Sequence, residues 1–475
     1  MPEPPPSEDF SLPWRRRAIQ TQPETLWFAI AWSLEEPERL AEVAQLENGG
    51  VLGRGEPDSA EGSGMRLQFS ALRASLEAGS PWLTSSRVSR RQLELSEVTG
   101  ETARVTSVGR CPMAVNGTPV TSAVVKPGDV INLRNALVLL VVRRRAERAL
   151  QNASAAFAFG GPDAHGIVGE SPALWGLRES LAFAGRSREH VLITGESGSG
   201  KELAACAIHA LSARAGRGMV SRNAATLPEA LVDAELFGNA KNYPNPGMPE
   251  RPGLVAEAHE STLFLDEIGE LSATAQAHLL RVADREGEYQ RLGDAQRRRA
   301  DFRMIAATNR DPASLKHDFL ARFPVRVHVP GLNERLEDIP LLVRATLRRL
   351  CDSSQGLLER FFERRGSKLA EARIEPEVIE LLLRHHYRTH LRELEHLLWT
   401  ALATSQDDFI AATPEFVRAA APGSKAPAPE PDRAAIEQAL SATKGNVTKA
   451  ARLLGLRNRY VLYRIMRKLQ IEAEG

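Results

Sequence analysis

Apolar positions along this chain follow two rhythms. Between residues 24 and 146, runs such as LWFAIAW, RLQFS, RQLELSEV, ARVTSVG, DVINL and ALVLLVV are short and separated by Gly, Pro and Asn-Gly turns. Strand-length runs broken by turn residues predict an all-β sandwich. From 163 to 332 helical spacing alternates with the buried runs VLIT, TLFLDEI, FRMIAAT and VRVHV, the pattern of a mainly parallel sheet under helices. Residues 333–420 read as helical, with Asp338-Ile-Pro340 as a helix start and LRELEHLLWTAL as an apolar-spaced helix. The last segment, 432–475, again has helical spacing, in Ile436 and Leu440, Leu453 and Leu454, then Val461, Leu462, Ile465 and Leu469. An Ala-rich joint fills 147–162, and APGSKAPAPEP marks 421–431 as an extended Pro/Ala linker. Residues 1–23, with Pro2, Pro4 to Pro6 and Arg15 to Arg17, predict a disordered leader, not a signal peptide.

Composition narrows this picture only a little. A length of 475 residues leaves room for two to four domains. Hydrophobic content of 43% and charge of 25% are those of an ordinary globular protein with large cores. A net charge of +1 means that any nucleic-acid surface must be a local patch. Cys111, Cys206 and Cys351 have no metal-type spacing and point to reduced thiols. The longest apolar run, ALVLLVV, is too short to cross a bilayer, so a cytoplasmic location is expected.

The strongest chemical signal is VLITGESGSGKE at 191–202. A buried strand turns through Gly195, Glu196, Ser197, Gly198, Ser199 and Gly200, the loop closes on Lys201, and helical spacing follows from Glu202. Backbone N–H groups of such a turn, the helix N-terminus and the Lys ammonium together cradle nucleotide phosphates. Glu202 occupies the position where a Ser or Thr hydroxyl usually meets Mg²⁺. A second strand, TLFLDEIGEL at 262–271, ends in Asp266 and Glu267, a pair able to hold Mg²⁺ and to polarise an attacking water. A third, FRMIAATNRD at 302–311, ends in Asn309, whose amide can orient that water.

These motifs resemble the AAA+ domain of the sigma-54-dependent bacterial enhancer-binding proteins over about 163–400. GIVGESPAL (166–174), ELFG (235–238), QAHLLRV (276–282), GEYQRLG (287–293), ERLEDIPLL (334–342) and LRELEHLL (391–398) appear in the family's order. The resemblance implies an ATP- and Mg²⁺-dependent ring ATPase with its active site at a subunit boundary. By position it makes Asn309 sensor I, Arg392 the sensor II arginine, Asn223 the restraint on the catalytic Glu267, and Arg322 the arginine finger. Glu after the P-loop Lys is usual in this family. Lys316 stands where the family has a second finger arginine, and keeps charge without the planar fork.

The main departure lies after ELFG. Where the family carries the Gly-Ala-Phe-Thr-Gly-Ala loop that touches sigma-54, this chain reads Asn242-Tyr-Pro-Asn-Pro-Gly247. Pro244 and Pro246 fix φ and remove two N–H donors, which argues against ordinary remodelling of sigma-54 RNA polymerase. Tyr387-Arg-Thr-His390 likewise replaces the family's Trp-Pro-Gly-Asn turn.

Residues 432–475 hold nine Lys/Arg and four Asp/Glu, a local net of +5. Arg457, Asn458, Arg459, Tyr460, Arg464, Arg467 and Lys468 crowd the last helix, as a groove-reading helix requires. The segment resembles a Fis-type helix-turn-helix, which implies double-stranded DNA as partner and dimeric binding. The β-rich segment resembles a forkhead-associated (FHA) domain in Gly53-Arg54, the 86–91 stretch, Val115 to Thr118 and Gly128-Asp129. That resemblance implies a phosphothreonine protein partner, with Arg54 and Ser89 as phosphate ligands. Gln92 replaces the family's structural His.

The predicted architecture is therefore multidomain: an FHA-like all-β sandwich, an α/β AAA+ P-loop NTPase with a helical lid, and an all-α helix-turn-helix. The leading functional expectation is an oligomeric, ATP-dependent, DNA-binding transcription regulator. The alternative is a DNA-bound scaffold or repressor in which ATP only controls assembly.

Overall fold

The computed structural model describes residues 23–57, 65–71, 80–145, 157–228, 231–283, 287–352, 354–365 and 368–421, and single residues beyond. The leader (1–22), most of the joint (146–156) and the Pro/Ala linker fall outside the described residues. Residues up to 419 form one compact unit, and residues from 420 onward form a second.

The β-rich part is built from ten strands: β1 (Glu24–Ser33), β2 (Val43–Gln45), β3 (Val51–Leu52), β4 (Leu93–Ser96) and β5 (Ala103–Ser107), then β6 (Met113–Val115), β7 (Thr118–Pro119), β8 (Ser122–Val125), β9 (Val130–Leu133) and β10 (Leu137–Arg145). They form two antiparallel sheets, ordered β2-β1-β10-β9-β6-β7 and β3-β4-β5-β8. Strand β1 pairs with β10 from Glu24–Arg145 to Ser33–Leu137, with one register shift between Ile30 and Trp32. Residues Phe28 to Ser33 and Leu137 to Val141 are buried without a break. Alternation is lost there because the sheet is covered on both faces.

The α/β unit supplies α1 (Pro172–Arg186), β11 (Val191–Thr194), α2 (Lys201–Ala210), β12 (Val220–Asn223), α3 (Val232–Phe237), α4 (Leu254–Glu257) and β13 (Thr262–Asp266). It continues through α5 (Ala273–Val282), the hairpin β14 (Glu288–Gln290) and β15 (Arg297–Arg299), β16 (Arg303–Thr308), α6 (His317–Leu320) and β17 (Val325–His328). Five strands form an all-parallel sheet in the order β12-β13-β16-β11-β17. Its period-two alternation feeds two cores. Leu192, Leu263, Leu265, Met304 and Ala306 join Phe319 and Phe323 on one face. Val191, Ile193, Phe264, Ile305 and Val327 pack on α1 and α2 through Leu177 and Ile208 on the other. Strand β12 went unrecognised in the sequence because it is an edge strand with only Val220 apolar.

The segment after β17 was expected to be wholly helical, and that expectation needs correction. Helices α7 (Ile339–Asp352), α8 (Gln355–Phe361), α9 (Pro376–Arg384), α10 (Leu391–Thr404) and α11 (Pro414–Ala420) are interrupted by a hairpin, β18 (Phe362–Arg365) and β19 (Lys368–Ala372). Helices α7 and α9 lie against β1, and α9 also meets β9 and β10, which supplies the second cover of the six-stranded sheet. At this seam Asn132 Nδ2 donates to Glu380 Oε2 at 3.1 Å, and Arg144 Nε donates to Glu337 Oε2 at 2.9 Å. Burial raises the Glu337 carboxyl, with Arg144 opposing the rise.

Beside Glu337, Asp338 ties the lid to the α/β unit. Its Oδ1 accepts the N–H groups of Glu170 (2.7 Å) and Ser171 (2.8 Å), and its Oδ2 accepts Ser171 Oγ–H at 2.5 Å. Ser171 in turn caps α1 by accepting Leu174 N–H at 3.2 Å. The end of the joint is anchored at the same place: Gly160 N–H donates to Glu170 Oε1 at 2.8 Å, and Phe157 stacks on Trp175. Asp338→Ala strands two buried N–H donors and is expected to lower stability by about 2–4 kcal/mol, read as a fall in urea midpoint at unchanged slope.

In the second unit, Ile436, Ala439 and Ala450 are buried. The N–H of Thr443 bonds to Ala439 O and that of Leu454 to Ala450 O, which is helical spacing. Arg457, Asn458, Arg459, Tyr460, Arg464, Arg467 and Lys468 lie outside the described residues. Among the described residues, no helix is long and apolar enough to cross a membrane.

Candidate functional site

The three chemically marked strands, β11, β13 and β16, are neighbours, and their C-terminal ends open on one edge, where parallel sheets bind ligands. After β11 the loop 195–200 turns back on itself. Gly198 (φ 79°) and Gly200 (φ 108°, the N-cap of α2) occupy the left-handed region. A Cβ on Gly198 would sit 2.1 Å from Thr389 O, so the loop and the residues before α10 touch backbone to backbone.

Lys201 is buried at the start of α2. Its Nζ donates to Gly195 O (3.1 Å) and Glu196 O (3.2 Å) and lies 3.7 Å from Glu267 Oε1. Glu202 is exposed in the first turn of α2, where a carboxylate is favoured by the helix dipole. Ser197 is half-buried and Ser199 buried, its carbonyl facing the interior guanidinium of Arg335 at 3.5 Å. Burial pulls the Arg335 pKa down, against the attraction of Asp338 and Glu334.

Asp266 ends β13, and its Oδ1 accepts Glu267 N–H at 2.9 Å. Glu267 has φ 51°, an uncommon left-handed conformation for this residue, and it swings the carboxylate toward β16. There Glu267 Oε2 accepts the backbone N–H of Asn309 at 3.3 Å. Lys201, Asp266, Glu267 and Asn309 therefore meet in one place.

Asn223 is level with Asp266 in the β12–β13 register, but its Oδ1 is engaged by Ala225 N–H at 2.9 Å, as a cap. In this structure Glu267 is held by Lys201 and the Asn309 backbone. Arg392 is exposed at the start of α10, with its Cγ 3.6 Å from where a Gly198 Cβ would be. Arg322 is exposed just after α6, beside the edge-to-face pair Phe319 and Phe323. Next to the loop, a cavity of about 430 Å³ lies between the α/β unit and the lid, lined by Ile167, Val168, Leu203, Val329, Leu342 and Leu391 among others.

In the β-rich part, Arg54 and Ser89 are brought together: Arg54 N–H donates to Ser89 O at 3.1 Å, and Ser89 Oγ accepts Arg110 N–H at 3.0 Å. Gln92 is fully buried and bridges the two loops, accepting from Ser89 N–H (3.4 Å) and Cys111 N–H (3.2 Å) and donating to Cys111 O (2.7 Å). Its amide thus ties the two loops together from the interior.

Residues 167–329 match the sigma-54 interaction domain, and residues 428–469 match the bacterial regulatory protein, Fis family. The transcriptional regulatory protein ZraR of Salmonella typhimurium is 35% identical over 360 residues, covering 72% of this chain and 76% of that protein. The chain belongs to the sigma-54-dependent transcriptional regulators. The anaerobic nitric oxide reductase transcription regulator NorR of Aeromonas hydrophila is 36% identical over 375 residues, 72% of this chain and 70% of that one. Crystallised NtrX from Brucella abortus, in complex with ADP, is 27% identical with a TM-score of 0.46, over 65% of this chain and 70% of that one. This sigma-54-dependent regulator thus carries its interaction domain on the parallel sheet whose edge gathers Lys201, Asp266, Glu267 and Asn309, with Arg322 following α6 and a Fis-type DNA-binding end. The family favours the regulator over the scaffold alternative.

Two features of the site went unread in the sequence. Arg335 lies within ERLEDIPLL, but nothing in that motif marks its guanidinium as packed behind the loop. His390 was visible only as a departure in the turn before α10.

Proposed function

We propose that this regulator binds and hydrolyses ATP with Mg²⁺ at the edge of its parallel sheet, as an oligomer on DNA in the cytoplasm. The convergence of Lys201, Asp266, Glu267 and Asn309 next to Arg392 carries this reading. The loop N–H groups and the Lys201 ammonium bind phosphate oxygens, and the neighbouring apolar cavity has the lining a base needs. Asp266 is a hard oxygen donor suited to Mg²⁺, which when bound neutralises charge on the phosphates. Glu267 orients and accepts a proton from the attacking water, helped by Asn309. Arg392 reaches the phosphates from the lid, and Arg322 reaches those of a neighbouring subunit. Asn223 restrains Glu267 once released from its cap. Arg457, Asn458, Arg459, Tyr460, Arg464, Arg467 and Lys468 contact DNA, and the β-rich domain reads a phosphothreonine partner through Arg54 and Ser89. Steady-state ATPase with Lys201→Ala as control tests the core of this reading, and no turnover in the wild type overturns it.

The loop at 242–247 differs in output. Asn239, buried at its root, donates to Ala240 O (3.1 Å), Tyr243 O (3.3 Å) and Pro249 O (3.0 Å). Gly247 N–H closes the turn on Asn242 Oδ1 at 2.9 Å, and the Tyr243 ring rests on Gly293. A loop stapled at this many points is poorly suited to the family's flexible contact with sigma-54. Reconstituted transcription with sigma-54 polymerase is expected to give little open complex from the wild type. Grafting Gly-Ala-Phe-Thr-Gly-Ala into 242–247 is expected to raise it, and strong ATP-dependent activation by the wild type refutes the reading.

A further inference from the structure

His390 immediately precedes α10 with φ 46° and ψ −113°, in a conformation that L-residues rarely adopt. Its imidazole is 1% exposed and touches two separate segments. Nδ1 receives Leu332 N–H at 3.1 Å, from the chain crossing between the α/β unit and the lid. Nε2 is 2.7 Å from Glu196 Oε2, on the phosphate loop. The ring packs on Gly331, where a Cβ would lie 2.5 Å from Cε1. The next residue adds a fourth tie, Leu391 N–H to Gly198 O at 3.1 Å.

The hydrogen bonds fix the tautomer. A backbone N–H can only donate, so Nδ1 must present its lone pair and the proton sits on Nε2. His390 is therefore a neutral imidazole that donates to a carboxylate. That is a charge-assisted bond, stronger than one between neutral partners. The Glu196 side chain is otherwise mostly exposed, at 66%, so the bond is what orders it.

We infer that His390 is a positioning residue for nucleotide binding: through Glu196 and Leu332 it locks the phosphate loop to the lid crossing, so that loop shape and lid position change together. The inference rests on the ATP reading given above. It predicts an effect chiefly on nucleotide binding, because neither His390 nor Glu196 is placed on the attacking water.

The test uses the full chain, fluorescent ADP binding, and steady-state kcat and KM for ATP. His390→Ala and Glu196→Ala are each expected to weaken nucleotide binding and raise KM by about tenfold, the equilibrium worth of one charge-assisted hydrogen bond, with kcat little changed. The double variant is expected to be no worse than the weaker single, since both remove the same bond. His390→Asn retains an acceptor, a donor and tolerance of positive φ, and is expected to recover most of the affinity. Glu196→Ala alters an exposed side chain and so remains informative should His390→Ala fail to fold. Unchanged KM in the Glu196 variant, additive losses in the double variant, or a fall confined to kcat overturns the inference. If wild type binds ADP and Lys201→Ala abolishes it while both singles behave as wild type, the inference alone fails. If wild type binds no nucleotide, the ATP reading fails and this inference with it.

Discussion

Glu267→Gln is expected to slow ATP turnover by about 10²–10⁴-fold, the usual contribution of a positioned general base, while leaving nucleotide affinity nearly unchanged. The separation follows from where Glu267 stands. Its carboxylate is 3.7 Å from Lys201 Nζ and accepts Asn309 N–H at 3.3 Å, so it bridges the groups proposed to bind phosphate and to orient water. Gln is isosteric and keeps the hydrogen bond from Asn309, but cannot take a proton from water. Lys201 loses a charged neighbour and keeps its two carbonyl partners, so the cradle survives. Single-turnover hydrolysis and equilibrium nucleotide binding, measured side by side, check the prediction. A matched loss of both would make Glu267 a structural residue.

Arg322→Ala is the second large effect. A guanidinium that stabilises phosphoryl-transfer charge from a neighbouring subunit is worth roughly 10³–10⁵-fold in turnover. Arg322 is exposed and follows α6. The variant is therefore expected to bind nucleotide normally and to hydrolyse it hardly at all. Its signature is complementation. Mixing Arg322→Ala with Glu267→Gln places an intact Arg322 opposite an intact Glu267 at some boundaries, and activity is expected to return in the mixture. Two inactive proteins that stay inactive when mixed, in proven mixed oligomers, would remove Arg322 from the active site.

The central strands of the sheet were legible in the sequence for a physical reason. Strands β11, β13 and β16 are central, buried on both faces, and so appear as unbroken apolar runs ending in Gly-rich or acidic residues. Edge strand β12 has no fully buried residue and reads VSRN, with only Val220 apolar. The β18–β19 hairpin is short and charged, FERR and KLAEA, and so resembles a helix surface. The seam between α7, α9 and the six-stranded sheet was hidden for a different reason. Its partners are far apart in sequence, Asn132 with Glu380 and Arg144 with Glu337, and no local spacing encodes them. Asn223 shows the reverse case: position placed it at the site, but a cap two residues away engages its amide.

The Arg144–Glu337 bond has one more consequence. Glu337 is the immediate neighbour of Asp338, whose carboxylate holds the start of α1, so the β-rich domain grips the chain one residue from the point where the lid is anchored. Binding free energies obey reciprocity: whatever factor a ligand of the β-rich domain imposes on nucleotide affinity, nucleotide must impose on that ligand. A coupling through this seam would therefore be measurable from either end, as a change in the β-rich domain's affinity for a ligand when nucleotide is added.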